Sequence, residues 1–163
     1  MAQGIGIADI AGHFDSVSIC LSKGLCAPVG SLLLGDERLI KKATRWRKML
    51  GGGMRQAGIL AAAGKLALTE QVERLGEDHE NAAYLAEQLS QLGEFEIDLA
   101  AVQTNMVFAT LASHVDEKAL AKRCREAGII ISPSRTLRFV THKDVSRQDI
   151  DKVLQVFKLH LQA

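Results

Sequence analysis

Apolar and polar positions change period several times along the chain, and each change marks an element. Residues 15–21, DSVSICL, alternate small polar with apolar side chains and are rich in β-branched residues, which predicts a strand. A second run, residues 29–34, is small or apolar apart from Ser31 and predicts a strand of a buried sheet, closed by Gly35. Between them SKGL, followed by Cys26-Ala27-Pro28, turns the chain. A short helix over residues 5–13 precedes the first strand and ends near Gly12. From Asp36 the period becomes helical as far as Met49, with Leu39, Ile40, Ala43 and Trp46 on one face. Gly51, Gly52 and Gly53 break that helix. Residues 54–68, MRQAGILAAAGKLAL, predict a helix whose small side chains allow close packing, and a longer charged helix over 69–92 stops at Gly93.

The remaining chain reads as strand, strand, helix, strand, strand, helix. The strands fall at 94–99, 106–111, 129–132 and 136–140, and the helices at 117–127 and 147–160. Asp116 and Ser146 are the expected N-caps and Gly128 the expected helix stop. Such alternation makes a compact α/β layer with helices on one face. The charged helix marks a passage between domains, placed at residues 1–69 and 70–163. The pattern shows no internal repeat.

Composition narrows the picture. With 163 residues, 47% of them hydrophobic, the chain can bury a sizeable core. Twenty basic against 19 acidic residues argue against nucleic acid or an anionic membrane as partner, and the basic run TRWRKM reads as a solvated helix face. Cys20, Cys26 and Cys124 match neither a zinc spacing nor a disulfide framework, so no metal is expected and reduced thiols in a cytoplasmic chain are. The start, MAQGIGIADI, lacks the basic region of a signal peptide, and no apolar run reaches membrane-spanning length.

Lys23 is the most suggestive titratable residue. A lysine at the end of a strand, beside Gly24 and before a turn, can enter a cleft, and Schiff-base chemistry needs one neutral amine held at a fixed point. Gly24 keeps side-chain bulk away from an aromatic ligand. By position alone, however, such a lysine is usually a surface residue.

The order of neighbouring motifs changes that balance. DSVSICLSKGLCAPVGS, then Arg45-Trp46-Arg47-Lys48, then GGGMRQAGILAAAG, and THKDVS near the end resemble the low-specificity threonine aldolases. The likeness runs along essentially the whole chain, and SKGL, PVGS and GGGMRQ together are specific where each alone is weak. The resemblance implies the fold type I architecture of pyridoxal-phosphate enzymes: the C-terminal part of a cofactor-binding large domain followed by a small α/β domain. It implies retro-aldol cleavage of threonine or allo-threonine to glycine and acetaldehyde.

Residue by residue, the resemblance makes Lys23 the lysine that carries pyridoxal 5'-phosphate and Arg55 the arginine that reaches its phosphate, often across a subunit interface. Arg138, in TLRFVTH, becomes the clamp on the substrate carboxylate, a task suited to a planar guanidinium. Lys48 matches a lysine near the active site, with a solvated side chain as the alternative; Arg55 has the alternative of an N-terminal helix cation. Ser22 can bond the cofactor or its own backbone. Arg135 reads as a loop residue, and Thr141 and His142 as packing behind Arg138. Cys26 stands where relatives carry glycine. Family members are about twice as long, and their other half supplies the partner of the pyridine nitrogen, the ring-stacking histidine and the phosphate loop. The expected partners are a β-hydroxy amino acid and either further copies of the chain or a complementary N-terminal half. Alone, the chain is expected to be inactive. Two competing readings are a non-catalytic oligomerising remnant and another lyase of the same fold, such as a β-eliminating enzyme.

Overall fold

The structure, a computed structural model, describes residues 2–161. The chain forms two compact units, Met1–Leu75 and Gly76–Ala163.

The first unit begins with a short helix α1, Ile7–Ala11, followed by a hairpin of β1, Ser16–Cys20, and β2, Ser31–Gly35. The strands pair antiparallel with Val17 opposite Leu34 and Ile19 opposite Leu32. Helix α2, Glu37–Met49, starts where the Asp36 carboxylate accepts the Leu39 amide at 2.6 Å. Leu39, Ile40 and Ala43 share its half-buried face, but Trp46 is exposed. Helix α3, Gly58–Glu70, packs on the end of β1 through its small residues: Leu21, Ala27 and Ala67 form a buried cluster, joined by Ile19 and Leu25. A Cβ on Gly64 would come 3.2 Å from Leu21 Cδ1, so the Ala- and Gly-rich face of α3 is what lets the helix approach.

Three expectations for this unit are corrected. The strand at 31–35 is not buried: Leu32, Leu33 and Leu34 are each 38–46% exposed, because among the described residues a two-stranded ribbon has no layer to cover both faces. Helix α3 starts at Gly58, not at residue 54, because Gln56 takes a left-handed φ of 52° that no helix continues. The charged helix expected over 69–92 is broken at residues 71–74, and α4 spans Leu75–Ser90.

The second unit is a three-stranded antiparallel sheet, β3 (Phe95–Glu96), β4 (Met106–Leu111) and β5 (Thr136–Val140), in that order, with α4, α5 (Glu117–Glu126) and α6 (Arg147–Leu161) on one face. Alternation along β4 and β5 sorts the side chains. Val107, Ala109, Leu111 and Leu137 turn to the helices, where they meet Leu85, Leu89, Leu120, Cys124, Leu154 and Phe157. Phe157 lies at the centre, with ring centroids 5.4 Å from Phe95 and 6.1 Å from Phe139. Caps fall where the pattern places them. Asp116 accepts the amides of Lys118 and Ala119, while Ser146 and Asp149 exchange bonds across the first turn of α6. Gly128, at φ 78°, ends α5, with its own amide on Arg125 and that of Ile129 on Cys124.

The strand expected at 129–132 is absent: the Ile129 amide is taken by the helix end, Pro133 has no N–H to give, and Ile130 is 79% exposed. The strand expected at 94–99 shrinks to two residues and gives way to a single 3-10 turn, Leu99–Ala101, capped by Asp98. No helix among the described residues is long and apolar enough to cross a membrane.

Candidate active site

Lys23 sits in the loop between β1 and β2, whose backbone is pinned at several carbonyls. The Leu21 carbonyl accepts the Ala27 amide at 3.0 Å, and the Lys23 carbonyl accepts the Cys26 amide at 2.8 Å. The Gly24 carbonyl accepts Arg74 Nη2 at 3.2 Å and Cys26 Sγ at 3.3 Å. The Lys23 side chain, by contrast, is exposed and makes no hydrogen bond or ion pair among the described residues. Gly24 also lies against Leu75: a Cβ there would lie 2.7 Å from Leu75 Cδ2. Cys26 holds a left-handed φ of 60°, a conformation that glycine adopts without strain.

Ser22 turns toward Cys20, with Oγ 3.5 Å from Sγ. Hydrogen bonds to the Ser22 hydroxyl and then its amide hold the Cys20 thiol below its ordinary range, with smaller contributions from Ser31 and the Lys23 charge and against the effect of burial.

Arg55 and Lys48 belong to a second local network. The Gly52 amide donates to the Arg47 carbonyl at 2.7 Å, so the chain doubles back on the end of α2. Gly51 supplies a φ of 85°; Cβ atoms on Gly52 and Gly53 would sit 2.9 Å from Arg47 Cγ and 2.7 Å from Lys48 Cδ. The triglycine therefore brings Lys48 beside the segment that carries Arg55. Arg55 lies three residues before α3 and not within it, is exposed, and makes no hydrogen bond or ion pair among the described residues.

Arg138 stands on the open face of the second unit's sheet, opposite Phe108 and flanked by Met106, Val140 and the paired hydroxyls of Thr110 and Thr136, 3.0 Å apart. Its guanidinium has no hydrogen bond or ion pair among the described residues. Arg135 is the reverse. Its Nη1 donates to the carbonyls of Leu111, Ala112 and Val115 at 3.4, 2.6 and 3.2 Å, and its Nη2 pairs with Glu117 at 3.0 Å. It ties the β4–α5 loop to β5 and is not available to a ligand. Thr141 is buried, donating to the Asp78 carbonyl at 2.6 Å, whereas His142 is exposed and accepts the Asp144 amide at 3.3 Å in a surface turn.

The sequence reading missed Gln71, Arg74 and Leu75, the turn that holds Gly24. No glycine or proline marks it, and a lone arginine at helical spacing reads as solvated. Among the described residues no cluster of His, Cys, Asp or Glu could hold a metal ion. One surface depression, of about 640 Å³, is lined by Phe14, Asp15, Gly35, Asp36, Arg38, Leu39 and Lys42.

The chain is similar to known proteins along most of its length. The chain is 48% identical over 153 residues to the low specificity L-threonine aldolase of Escherichia coli strain K12, covering 94% of this chain and 45% of that protein. It is 40% identical over 162 residues to low-specificity L-threonine aldolase 1 of Arabidopsis thaliana, covering 97% and 45%. The chain thus spans about half the length of the curated relatives it matches. Among solved structures, one from Listeria monocytogenes assigned to L-allo-threonine aldolase superposes with a TM-score of 0.80 at 19% identity, covering 97% of this chain and 48% of that one. Serine palmitoyltransferase of Sphingomonas wittichii gives 0.69 at 18%, covering 96% and 42%. Likeness at that identity establishes the fold, and it is the one shared by fold type I pyridoxal-phosphate enzymes, as the resemblance implied. The family described as beta-eliminating lyase matches residues 1–112, a span that holds Lys23, Lys48 and Arg55, and this chain belongs to that family.

Proposed function

We propose that this chain is the lysine-bearing part of a pyridoxal-phosphate enzyme that cleaves threonine or allo-threonine to glycine and acetaldehyde. The observation that carries the reading is Lys23: an exposed, unpartnered amine on a loop whose backbone is pinned at Leu21, Lys23 and Gly24, in a chain 48% identical to a low-specificity threonine aldolase. The donor set fits the cofactor. Lys23 would hold it covalently, and Arg55, a free cation on a glycine-shaped segment, would meet its phosphate. When bound, the cofactor supplies an electron sink for the bond that breaks. Arg138 would orient the substrate carboxylate, a role open to it because Arg135 is committed to carbonyls and Glu117. Lys48 would add positive charge beside Arg55, and Ser22 would order the approach to Lys23.

In this reading residues 1–69 are the end of the cofactor-binding domain and 70–163 the small domain. The working enzyme is an oligomer or is completed by an N-terminal half, and it resides in the cytoplasm, where its three unpaired thiols stay reduced. The test joins this chain to the N-terminal half of the Escherichia coli relative and follows aldehyde release with threonine and pyridoxal phosphate. The joined protein should release acetaldehyde, Lys23→Ala should abolish release, and Arg138→Ala should raise KM far more than Arg138→Lys. Turnover that survives Lys23→Ala would refute the assignment. The family's description favours a second reading, β-elimination. On threonine it would expel the β-hydroxyl as water and, after hydrolysis, leave 2-oxobutanoate and ammonia, so formation of those in place of glycine and acetaldehyde would select it.

A further inference from the structure

The Lys23 side chain makes no hydrogen bond or ion pair among the described residues, but the loop that carries it is held from outside the hairpin. Arg74 reaches fifty residues back along the chain to donate Nη2 to the Gly24 carbonyl at 3.2 Å, while its Nε donates to Gln71 Oε1 at 3.2 Å. Leu75 closes over the same glycine, and a Cβ there would make the end of its side chain shift. One turn, residues 71–75, thus grips the Gly24–Leu25 peptide, next but one after the Lys23 amide, by a hydrogen bond, and Gly24 itself by packing. The break in the helix expected there is what aims Arg74 and Leu75 at it.

A lysine amine rides on four rotatable bonds, so it can be placed reproducibly only if its backbone is fixed. We propose that Arg74 is a positioning residue for the Lys23 amine, holding the Gly24 carbonyl and so setting where the side chain leaves the loop. This rests on the reading of Lys23 as the cofactor-bearing lysine. The choice of arginine follows from geometry. A planar fork can serve Gln71 through Nε and Gly24 through Nη2 at once, whereas a lysine ammonium is a single point that reaches one of them.

Amide hydrogen exchange on the chain without cofactor tests the grip. Arg74→Gln should quicken exchange at residues 22–27 on the order of tenfold, as expected for loss of one charge-assisted hydrogen bond. Protection at Val107 and Ala109 in the second unit should be unchanged, and Arg74→Lys should recover only part of the loop's protection. Loop exchange equal to the native chain would overturn the proposal. If Arg74→Gln fails to fold, Gln71→Ala removes the Nε partner alone; loop-confined quickening there supports the proposal and its absence overturns it. In the joined protein, the pH dependence of the lysine-bound pyridoxal phosphate absorbance should shift in Arg74→Gln and return toward native in Arg74→Lys. A joined native protein that takes up no pyridoxal phosphate at Lys23 removes the reading of Lys23, and the role of Arg74 with it. Uptake at Lys23 with exchange and pH profile both unmoved in Arg74→Gln removes the Arg74 proposal alone.

Discussion

Cys26 shows how a single residue can sit against its local preference. Its φ of 60° costs a side-chain-bearing residue about 1–2 kcal/mol, which the Sγ–H bond to the Gly24 carbonyl offsets only in part. Cys26→Gly should therefore raise stability, by about 0.5–1 kcal/mol once the extra freedom of glycine in the unfolded chain is counted. A denaturant midpoint at or below the native value would contradict this. Asp149 sets a pH dependence. The Ser146 hydroxyl, then the Ser146 amide, hold its carboxyl below the usual range, while burial pulls the other way. Folding thus favours the ionised form: the contribution is fully present above the unfolded value of about 3.9 and drains as pH falls through the lower folded value. Asp149→Asn should lower Tm at neutral pH and make Tm less steep below about pH 4; parallel curves would show that Asp149 carries no such linkage. At this scale the motif residues could be named from order along the chain. The commitment of Arg135 could not, because its partners at 111, 112, 115 and 117 become neighbours only when β4 and β5 pair.

At the scale of elements, strong local signals survived and weak ones did not. Asp36, Asp116 and Ser146 cap the helices they precede, since a side-chain oxygen three residues from an orphan amide needs no tertiary help. The apolar run at 129–132 has strand composition but no strand, because a strand needs a partner with free backbone groups. The helix break at 71–74 has no local cause; it forms where Leu75 and Arg74 find Gly24. Gly24→Ala tests that. Forcing a methyl against Leu75 should cost about 1–3 kcal/mol, as overpacking does. Leu75→Ala should relieve most of it, so the double variant should be more stable than the sum of the two single changes predicts. Additive effects would mean that Leu75 does not dictate glycine at 24.

At the scale of the molecule the two units are unequally provided. The second encloses a cluster that runs from Ala82 to Phe157 through three helices and a sheet; the first buries chiefly Leu21, Ala27 and Ala67. Phe157→Ala should cost about 3–5 kcal/mol and unfold the second unit cooperatively. Limited proteolysis of the isolated native chain should cut first within the first unit; uniform resistance along the chain would refute that. The first unit also exposes Ile59, Met54, Met49, Trp46 and the leucines of β2, more apolar surface than a lone monomer keeps in water. Sedimentation at micromolar concentration should show self-association, and a clean monomer would contradict it.

By itself the sequence determined the helix caps, the alternation that buries Val107, Ala109 and Leu111, the α/β class and the family, because each depends on residue type and order along the chain. Only the tertiary structure decided which arginine is free and which is bound to carbonyls, that Gly24 makes room for Leu75, and that Arg74 holds the loop bearing Lys23. Those facts join residues 20 to 51 positions apart, and the energy that selects them, a hydrogen bond or a van der Waals contact, exists only once the intervening chain has folded.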